Sequence, residues 1–280
     1  MRGAITALVD GAPHDRIGVA DRGLQYGDGL FETIKMSAGR PRLWDRHLAR
    51  LCHGAARLGL AEPDGRQLYG EVMRLAAGAD GVIKLILTRG EGPRGYRPVI
   101  GAAPRRILSL HRRPQYPSSW SQTGVDVVVC RTQVSDNPSL AGLKHLNRLD
   151  QVLARAEWND LQVAEGLMCD AAGRVIGGTM TNLFLVQGDR LVTPDLGRCG
   201  VAGTVRAAVL DLAPRLGLSV AKDGIWPRDL FAAEGAFLTN AVIGIWPIRT
   251  CGGRSLPGRP PAELVAAVAQ AANDLGEAVH

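Results

Sequence analysis

Short apolar runs separated by turn residues fill the stretch from residue 165 to 194 and limit the folds that this chain can adopt. The runs are EGLMCD, GRVIGG, TNLFLVQGD and RLVTP, starting at Glu165, Gly173, Thr181 and Arg190. Each has the length of a strand and is too short for most helices. The segment AFLTNAVIGIWPI, from Ala236, repeats the pattern. These runs predict a sheet in the second half of the chain.

Strand patterns also occupy the first part of the chain. Two strands around a turn are predicted over GAITALVDG, from Gly3, and RIGVADRG, from Arg16. Two more are predicted in GLFETIKMSAGRPRLW, where Ala38–Gly39 forms the turn between them. GVIKLILTRG, from Gly81, predicts a further strand that ends in the loop RGEGPRGYRP. This part of the chain therefore contributes strands of its own.

The segment WDRHLARLCHGAARLGL predicts a helix between these strands. Asp45 suits the N-cap position and Gly59 suits the end of the helix. His47, Arg50 and Arg57 are predicted to lie off the apolar face, because they fall between the positions that repeat at helical spacing. Those apolar positions are Leu48, Leu51, Ala55 and Leu58.

A segment rich in proline and serine, RPQYPSSWSQTG, divides the chain. It shows no periodicity, so we predict an N-terminal domain over residues 1–115, a linker over 116–124 and a C-terminal domain over 125–280. The C-terminal domain begins with the strand pattern VDVVVC and has helix patterns over about 205–216 and after Pro261. A further helix has the apolar positions Leu149, Val152, Leu153 and Ala156. The predicted fold class is α/β, or α+β, with two lobes.

Composition excludes several classes of protein. With 280 residues and 46% hydrophobic content, the chain is long enough to bury a large core. Residues 1–20 contain no continuous apolar segment, so we expect no signal peptide, no membrane span and a cytoplasmic location. Five cysteines without CxxC spacing argue against a disulfide framework and a metal site. The net charge of +6 comes from arginines scattered among acids, so we expect no nucleic-acid partner.

Lysine is rare in this chain, and one lysine interrupts an apolar segment. The only lysines among 33 lysines and arginines are Lys35, Lys84, Lys144 and Lys222. Lys144 lies in LAGLKHLNRLDQVLARAEW, where an arginine would hold a positive charge equally well. A lysine can lose its proton and attack a carbonyl carbon, and His145 and Arg148 beside it would help to lower its pKa. The alternative is an ordinary lysine near a helix start whose ammonium reaches water.

Three segments are candidates for binding anions. GVAGTVR, Gly200 to Arg206, combines small residues, the hydroxyl of Thr204 and a helix start, which suits the phosphate of pyridoxal phosphate. The turn TNA, Thr239 to Ala241, and the pair Arg89 and Arg94 suit carboxylates. Each segment is also compatible with a plain turn or a solvated charge. Together they would suit an amine substrate with several carboxylates.

The order of these motifs resembles that of the fold-type IV pyridoxal phosphate enzymes. This family includes branched-chain aminotransferases, D-amino acid aminotransferases and aminodeoxychorismate lyases. The matching segments are DRGLQYGDGLFETI from Asp21, HLAR from His47, LTRGEGPRGY from Leu87, GLKHLNRLDQVLAR from Gly142, GTMTNLFLV from Gly178, GVAGTVR and LTNA. The segment KHLNRLDQVLAR is most similar to the lyases, since branched-chain aminotransferases have a tyrosine at the position of Leu149.

The resemblance implies a role for each matching residue. Lys144 would hold the cofactor, pyridoxal 5'-phosphate, and then move protons as the catalytic residue. Cofactor-binding roles are implied for Arg50, Lys144, Asn182, Gly203, Thr204, Val205 and Thr239. Substrate-binding roles are implied for Arg94, Asn240 and Ala241. The resemblance also implies a homodimer that acts on a small molecule.

One position departs from the family pattern. Many members carry a glutamate five residues before Asn182, where it pairs with the pyridine nitrogen of the cofactor, and this chain has Gly177 there. A weaker electron sink favours elimination over transamination, because elimination forms an aromatic ring. We therefore expect a lyase that removes pyruvate from 4-amino-4-deoxychorismate to give 4-aminobenzoate for folate synthesis. The alternatives are a branched-chain or D-amino acid aminotransferase and a non-catalytic basic protein that binds polyanions.

Overall fold

The computed structural model describes residues 6–99 and 101–273. No helix within these two ranges is both long and apolar enough to cross a membrane. In the same ranges, no group of three or more His, Cys, Asp or Glu side chains is arranged to hold a metal ion.

The chain forms two compact units, and the first contains a six-stranded antiparallel sheet. Its strands are β1 (Ala7–Val9), β2 (Ala12–Pro13), β3 (Gly29–Ser37), β4 (Arg40–Pro41), β5 (Gly81–Thr88) and β6 (Arg105–His111), in the order β2-β1-β6-β5-β3-β4. Its helices are α1 (Arg22–Tyr26), α2 (Trp44–Leu58) and α3 (Gly65–Ala76). Residues 30, 32, 34 and 36 of β3 are buried and residues 31, 33 and 35 are half-buried. One face of β3 therefore meets the core, and the other face carries Phe31 and Thr33.

The second unit contains a nine-stranded mixed sheet. Its strands are β7 (Val125–Val129), β8 (Val163–Cys169), β9 (Val175–Gly178), β10 (Asn182–Gln187), β11 (Arg190–Pro194), β12 (Ser219–Asp223), β13 (Gly235–Asn240), β14 (Gly244–Cys251) and β15 (Arg254–Ser255). Their order is β12-β11-β10-β13-β14-β7-β8-β9, and β15 pairs with β14. Its helices are α4 (Ser119–Thr123), α5 (Leu149–Arg155), α6 (Thr204–Leu212), α7 (Asp229–Ala232) and α8 (Ala262–Asn273). At its centre Phe184 and Phe237 stack with ring centroids 5.0 Å apart.

Most of the predicted elements are confirmed. The strands of residues 29–41, 81–88, 163–194 and 235–251 are present, as are α2, α6 and α8. Ala38 and Gly39 have φ values of 51° and 70°, as the tight hairpin turn between β3 and β4 requires. The strand predicted from Gly3 is confirmed over Ala7–Val9, and its residues 3–5 lie outside the described residues.

The strand predicted over residues 16–23 is wrong. The Asp21 side chain accepts hydrogen bonds from Gly23 N at 2.8 Å and Leu24 N at 3.4 Å, and it thereby caps α1. The predicted N-cap of α2 is wrong as well. Asp45 lies inside the first turn, where its charge still favours the helix dipole, and the cap is Leu43 in the left-handed conformation.

The helix predicted after Lys144 is present as α5, but its apolar face is not buried. The side chains of Leu149, Val152 and Leu153 are 75%, 60% and 59% exposed. This seven-residue helix turns Ala154 inward, where that residue packs in a small cluster of buried side chains. A helix of two turns therefore keeps a row of large apolar side chains on its outer face.

The two units differ from the predicted domains at two places. The first unit holds the described residues up to Pro114, the segment Leu143–Asn147 and Asn273; the second holds Gln115–Gly142 and Arg148–Ala272. The predicted boundary put residues 143–147 in the C-terminal domain, but their backbone is hydrogen-bonded to β3. The predicted linker, 116–124, lies within the second unit and contains α4, since Tyr116 and Trp120 pack on Trp246 with ring centroids 4.7 and 5.0 Å away.

Candidate active site

Lys144 lies on a segment that is hydrogen-bonded to the start of β3. Phe31 N donates to Lys144 O at 2.9 Å, and Leu146 N donates to Gly29 O at 3.0 Å. The Lys144 Nζ lies 4.2 Å from the centroid of the Phe31 ring, which is a cation–π distance. The backbone pairing and the ring together place the lysine amine on the half-buried face of β3.

A second lysine contacts the same ring. The Lys84 Nζ lies 4.3 Å from the Phe31 centroid. Lys84 belongs to β5 and is directly opposite Thr33 of β3. Burial lowers the pKa of Lys84. The motifs do not predict this residue, although a lysine inside an otherwise apolar strand is a signal that could have found it.

A buried ionic cluster lies on the opposite face of β3. Glu32 is 1% exposed, and its carboxylate accepts hydrogen bonds from Arg50 Nε at 2.8 Å, from Arg50 Nη2 and from His47 Nδ1 at 2.6 Å. Burial acts to raise the pKa of Glu32, but the charges and hydrogen bonds of Arg50 and His47 together outweigh it, and the pKa falls to about 2. Burial lowers the pKa of His47, so a neutral imidazole donates its Nδ1–H to the ionised carboxylate.

This cluster corrects one prediction and leaves another in place. His47 is buried because it pairs with Glu32, so the expectation that it lies off the buried face of α2 is wrong. Arg50 is also drawn to Glu32, which fixes the plane of its guanidinium. Its role in binding the cofactor phosphate stays a prediction. Glu32 itself is absent from the predicted site, because a single acid within a strand pattern reads as a solvent-facing residue.

Arg94 has an exposed side chain in the loop after β5. The backbone next to it is held by α1. The buried Arg22 donates to Gly95 O at 2.8 Å and to Tyr96 O at 3.0 Å, and Gly95 N donates to the Tyr26 hydroxyl at 3.0 Å. The loop backbone is thus fixed while the Arg94 side chain reaches solvent, which is compatible with its predicted role in binding a substrate carboxylate.

Arg89, the other arginine predicted to bind an anion, is committed elsewhere. Its guanidinium donates to Asp28 Oδ2 at 2.8 Å, to Leu58 O at 2.7 Å and to Gly59 O at 2.9 Å. Arg89 therefore ties the end of β5 to the end of α2. The prediction that it binds a substrate carboxylate is wrong, because its donors are used within the protein.

In the second unit, the predicted phosphate-binding turn leads into α6. Gly203 is the N-cap of this helix, and Thr204 and the buried Val205 are its first residues. The Oγ1 atoms of Thr204 and Thr239 are both buried, and neither has a hydrogen-bond partner within the described residues. Because buried hydroxyls are normally hydrogen-bonded, both are candidates to donate to a ligand.

Asn182 joins that turn to the sheet. Its Nδ2 donates to Val201 O at 2.8 Å, and it lies opposite Thr239 in the pairing of β10 with β13. A Cβ atom at Gly203 would overlap the Asn182 Oδ1, so only glycine fits there. The structure thus brings together the predicted residues Asn182, Gly203, Thr204 and Thr239.

Asn240 and Ala241 end β13 and start the turn to β14. The Asn240 Oδ1 accepts hydrogen bonds from Val242 N at 2.8 Å and from Ile243 N at 2.9 Å. The Asn240 side-chain oxygen therefore shapes its own turn. The substrate-binding roles of Asn240 and Ala241 stay predictions.

Comparison with known proteins identifies the family. The family model for class IV amino-transferases matches residues 29–251. The chain belongs to the class IV amino-transferase family. It is 34% identical over 241 residues to an aminodeoxychorismate lyase of Vibrio harveyi, which spans 86% of this chain and 89% of that protein. It is 26% identical to a D-alanine aminotransferase of Bacillus licheniformis, over 89% of this chain and 87% of that protein.

A solved structure in this family has the same fold. The crystal structure of 4-amino-4-deoxychorismate lyase from Pseudomonas aeruginosa is 48% identical to this chain and superposes with a TM-score of 0.89. The match covers 96% of this chain and 99% of that one. The predicted fold class, a fold-type IV α/β architecture, is confirmed.

Gly177, the position at which the family resemblance leads us to expect a glutamate, lies at a close approach of two backbones. A Cβ atom at this position would lie 2.7 Å from Thr181 O. The turn between β9 and β10 would have to shift to admit any side chain there. The backbone path of this turn therefore favours glycine at position 177.

A different glutamate holds the same turn. Glu165 of β8 is fully buried, and its carboxylate accepts hydrogen bonds from Gly166 N, Thr179 N, Thr179 Oγ1, Met180 N and Thr181 Oγ1, at 2.6 to 3.1 Å. Burial raises the pKa of Glu165. A Cβ atom at Gly178 would lie 2.6 Å from Glu165 Cδ, so this carboxyl is on the Gly178 side of β9. Because neighbouring residues of a strand point to opposite faces, Glu165 does not occupy the place of the missing glutamate at Gly177.

Proposed function

We propose that this protein is a pyridoxal 5'-phosphate-dependent lyase that converts 4-amino-4-deoxychorismate into 4-aminobenzoate and pyruvate. The observation that carries the proposal is the 48% identity, over almost the whole length of both chains, to a lyase of that name. The Vibrio harveyi relative, at 34% identity, supports the same activity. The substrate has one amine and two carboxylates, and the lysine pair at Phe31 suits this combination.

Each unit, taken by itself, contains groups that suit the proposed cofactor. Lys144 supplies an amine that lies 4.2 Å from the centroid of the Phe31 ring. The turn before α6 supplies a helix N-terminus and the buried hydroxyl of Thr204, and β13 adds the hydroxyl of Thr239. These are the groups that a phosphate monoester needs as donors.

When bound, pyridoxal 5'-phosphate supplies an aldehyde that bonds to amines and a ring that accepts electrons. Lys144 would hold it through a covalent bond to its amine, and in its free form this amine would take the proton from the amine-bearing ring carbon of the bound substrate. The ring carbon–oxygen bond would break with its electrons on the enolpyruvyl oxygen, the leaving enolate would take up the proton that Lys144 removed and become pyruvate, and the substrate ring would become aromatic. Lys84 and Arg94 would bind the substrate carboxylates, and the Lys84 amine beside the Phe31 ring would orient the reacting carbon towards Lys144.

The first test is an absorption spectrum of the purified protein with the cofactor, followed by borohydride reduction and peptide mapping. We expect a visible band that disappears on reduction, with the adduct on Lys144, and release of pyruvate from the substrate. Lys144→Ala should lose both the band and the activity, while Lys222→Ala, a change at an exposed lysine, should keep both. An adduct on another lysine would refute the assignment of Lys144.

The alternative is an aminotransferase, which the relative from Bacillus licheniformis favours by its name. Adding D-alanine or a branched-chain amino acid to the loaded protein distinguishes the two activities. An aminotransferase would convert the cofactor to its amine form at a rate that matches turnover, whereas the lyase would release pyruvate from aminodeoxychorismate without such a conversion. Gly177 argues for the lyase, since it removes the acid that would strengthen the electron sink.

We also infer a cytoplasmic homodimer. The exposed apolar side chains of α5, Leu149, Val152 and Leu153, are a surface that self-association would bury. Light scattering should give twice the mass of the chain. Replacing Val152 and Leu153 with glutamate should shift the mass towards the monomer if α5 is at the interface, and an unchanged mass would exclude α5 from it.

A further inference from the structure

Arg206 is a buried cation at the positive end of a helix. It lies in the first turn of α6 and is 6% exposed. Its Nε donates to Thr193 Oγ1 at 3.2 Å and its Nη2 donates to Pro194 O at 3.0 Å. Both acceptors are neutral. Asp195, whose side chain is exposed, acts on the guanidinium by its charge alone.

This position is unfavourable for an arginine in the protein alone. The unpaired N–H groups at a helix N-terminus carry partial positive charge, which repels a cation in the first turn. The guanidinium also loses hydration on burial, and burial lowers the pKa of Arg206. The buried arginines of the first unit differ, because Arg22 and Arg89 both pair with the carboxylate of Asp28. Arg206 therefore lacks the compensation that those two arginines have.

The same end of α6 carries the signs of an anion site. Thr204 Oγ1, on the first residue of the helix, is buried without a hydrogen-bond partner among the described residues, and so is Thr239 Oγ1. Gly203 leaves the N-cap position without a side chain. An anion bound there would meet these donors and would also supply the negative charge that Arg206 lacks.

We propose that Arg206 is a positioning residue for the phosphate of the bound cofactor, and that it acts through its charge rather than by contact. A rise of about 1.5 Å per residue puts its backbone within about 5 Å of the N-cap, and its guanidinium is held against Thr193 and Pro194 in the interior, where a charge is little screened. This inference rests on the proposed function, since it takes the cofactor phosphate as the anion. Arg206 thus raises phosphate affinity at a cost to the stability of the empty protein.

Two variants separate charge from hydrogen bonding. Arg206→Gln keeps an N–H donor without the charge, and Arg206→Lys keeps the charge without the guanidinium. Arg89→Gln is the matched control, because it also changes a buried arginine but leaves Asp28 with one cation fewer. Each protein is titrated with pyridoxal 5'-phosphate and with pyridoxal, which lacks the phosphate. The melting temperature of each empty protein is measured with and without inorganic phosphate.

We expect Arg206→Gln to melt at or above the temperature of the unchanged protein. It should weaken binding of pyridoxal 5'-phosphate by about tenfold or more, with less than about a twofold change for pyridoxal. Inorganic phosphate should raise the melting temperature of the unchanged protein and of Arg206→Lys, but not of Arg206→Gln. Arg89→Gln should melt lower and keep the ratio of the two affinities.

Three results would overturn the inference. Arg206→Gln melting as low as Arg89→Gln, with equal losses for both ligands, would make Arg206 a structural anchor only. If Arg206→Gln does not fold, Arg206→Lys provides the test. Loss of its preference for pyridoxal 5'-phosphate over pyridoxal would show that Arg206 does not act through its charge. If Arg206→Gln leaves the ratio of the affinities for pyridoxal 5'-phosphate and pyridoxal unchanged, Arg206 has no effect on phosphate binding. Phosphate-dependent stabilisation without an adduct on Lys144 would refute the proposed function while leaving the anion site.

Discussion

Two buried glutamates, one in each unit, are held by different kinds of partner. Glu32 meets a guanidinium and an imidazole, and its pKa falls to about 2. Glu165 meets five donors that are all neutral, two hydroxyls and three backbone N–H groups, and its pKa rises. Both carboxyls are almost inaccessible to water. Hydrogen bonds alone therefore do not compensate for the burial of charge here, whereas a nearby cation does.

The difference corresponds to what each glutamate organises. Glu32 fixes the orientation of a side chain, Arg50, which the family resemblance assigns to the cofactor. Glu165 fixes a backbone turn, Thr179–Thr181, which precedes Asn182. A charged partner suits the first task because the guanidinium offers a planar pair of donors. Neutral donors suit the second because the groups to be ordered are backbone N–H groups.

The largest expected effect comes from removing the cation beside Glu32. Arg50→Met leaves an ionised carboxylate buried with His47 alone, and breaking a buried pair in this way costs about 3–5 kcal/mol. Thr179→Val, which removes one hydroxyl donor from Glu165, should cost about 1–3 kcal/mol. Urea unfolding of the cofactor-free proteins measures both values.

A double-mutant cycle tests whether the stability lost in Arg50→Met comes from its pairing with Glu32. In Glu32→Gln, the further change Arg50→Met should cost clearly less than it does alone, since no charge is then left unpaired. Equal costs in the two backgrounds would mean that Arg50 stabilises the fold through other contacts, and the contrast with Glu165 would lose its basis.

The next effect is a pH dependence of opposite sign at the two glutamates. The pKa of Glu32 is lowered from 4.5 to about 2 on folding, so its contribution is complete above pH 4.5 and is lost as the pH falls towards 2. The pKa of Glu165 is raised from 4.5, so its contribution is complete below pH 4.5 and is lost as the pH rises through the folded value.

Unfolding free energies at several pH values between 3 and 7 check this contrast. The stability advantage of the unchanged protein over Glu32→Gln should shrink on acidification, by at most about 1.4 kcal/mol per pH unit. The advantage over Glu165→Gln should grow instead. Parallel curves for the two variants would show that the glutamates do not differ in pKa as described.

Sequence patterns predict much of this fold because they report local periodicity. Alternation and turn residues place β3, β5 and the strands of residues 163–194 correctly, and helical spacing places α2 and α6. Lys144 is predicted as a site residue because lysine is rare in the chain, and its role stays a prediction. The strand predicted over residues 16–23 fails because one side chain, Asp21, caps a helix instead.

The remaining parts of the site depend on contacts between distant segments. Glu32 and His47 are fifteen positions apart and are buried only as a pair, so each alone reads as a surface residue. Lys84 reaches the ring of Phe31 only because β5 pairs with β3 in one register. The exposed face of α5 is misread because periodicity indicates a helix but not which surface covers it.

The last comparison concerns two glycines, one packed against Glu165 and one packed against Leu30. A Cβ atom at Gly178 would lie 2.6 Å from Glu165 Cδ, and five hydrogen bonds hold that carboxylate in place. Gly178→Ala should therefore cost about 1–3 kcal/mol, as overpacking does.

At Gly54 of α2, the Cβ atom would lie 2.8 Å from Leu30 Cδ1, the flexible end of a side chain on β3. Leu30 can turn aside, and alanine favours the helix by about 0.5–1 kcal/mol, so Gly54→Ala should be close to neutral. Thermal unfolding of the two variants compares the sites directly. Equal destabilisation would mean that the Leu30 side chain yields to a new Cβ atom no more easily than the hydrogen-bonded carboxyl of Glu165 does.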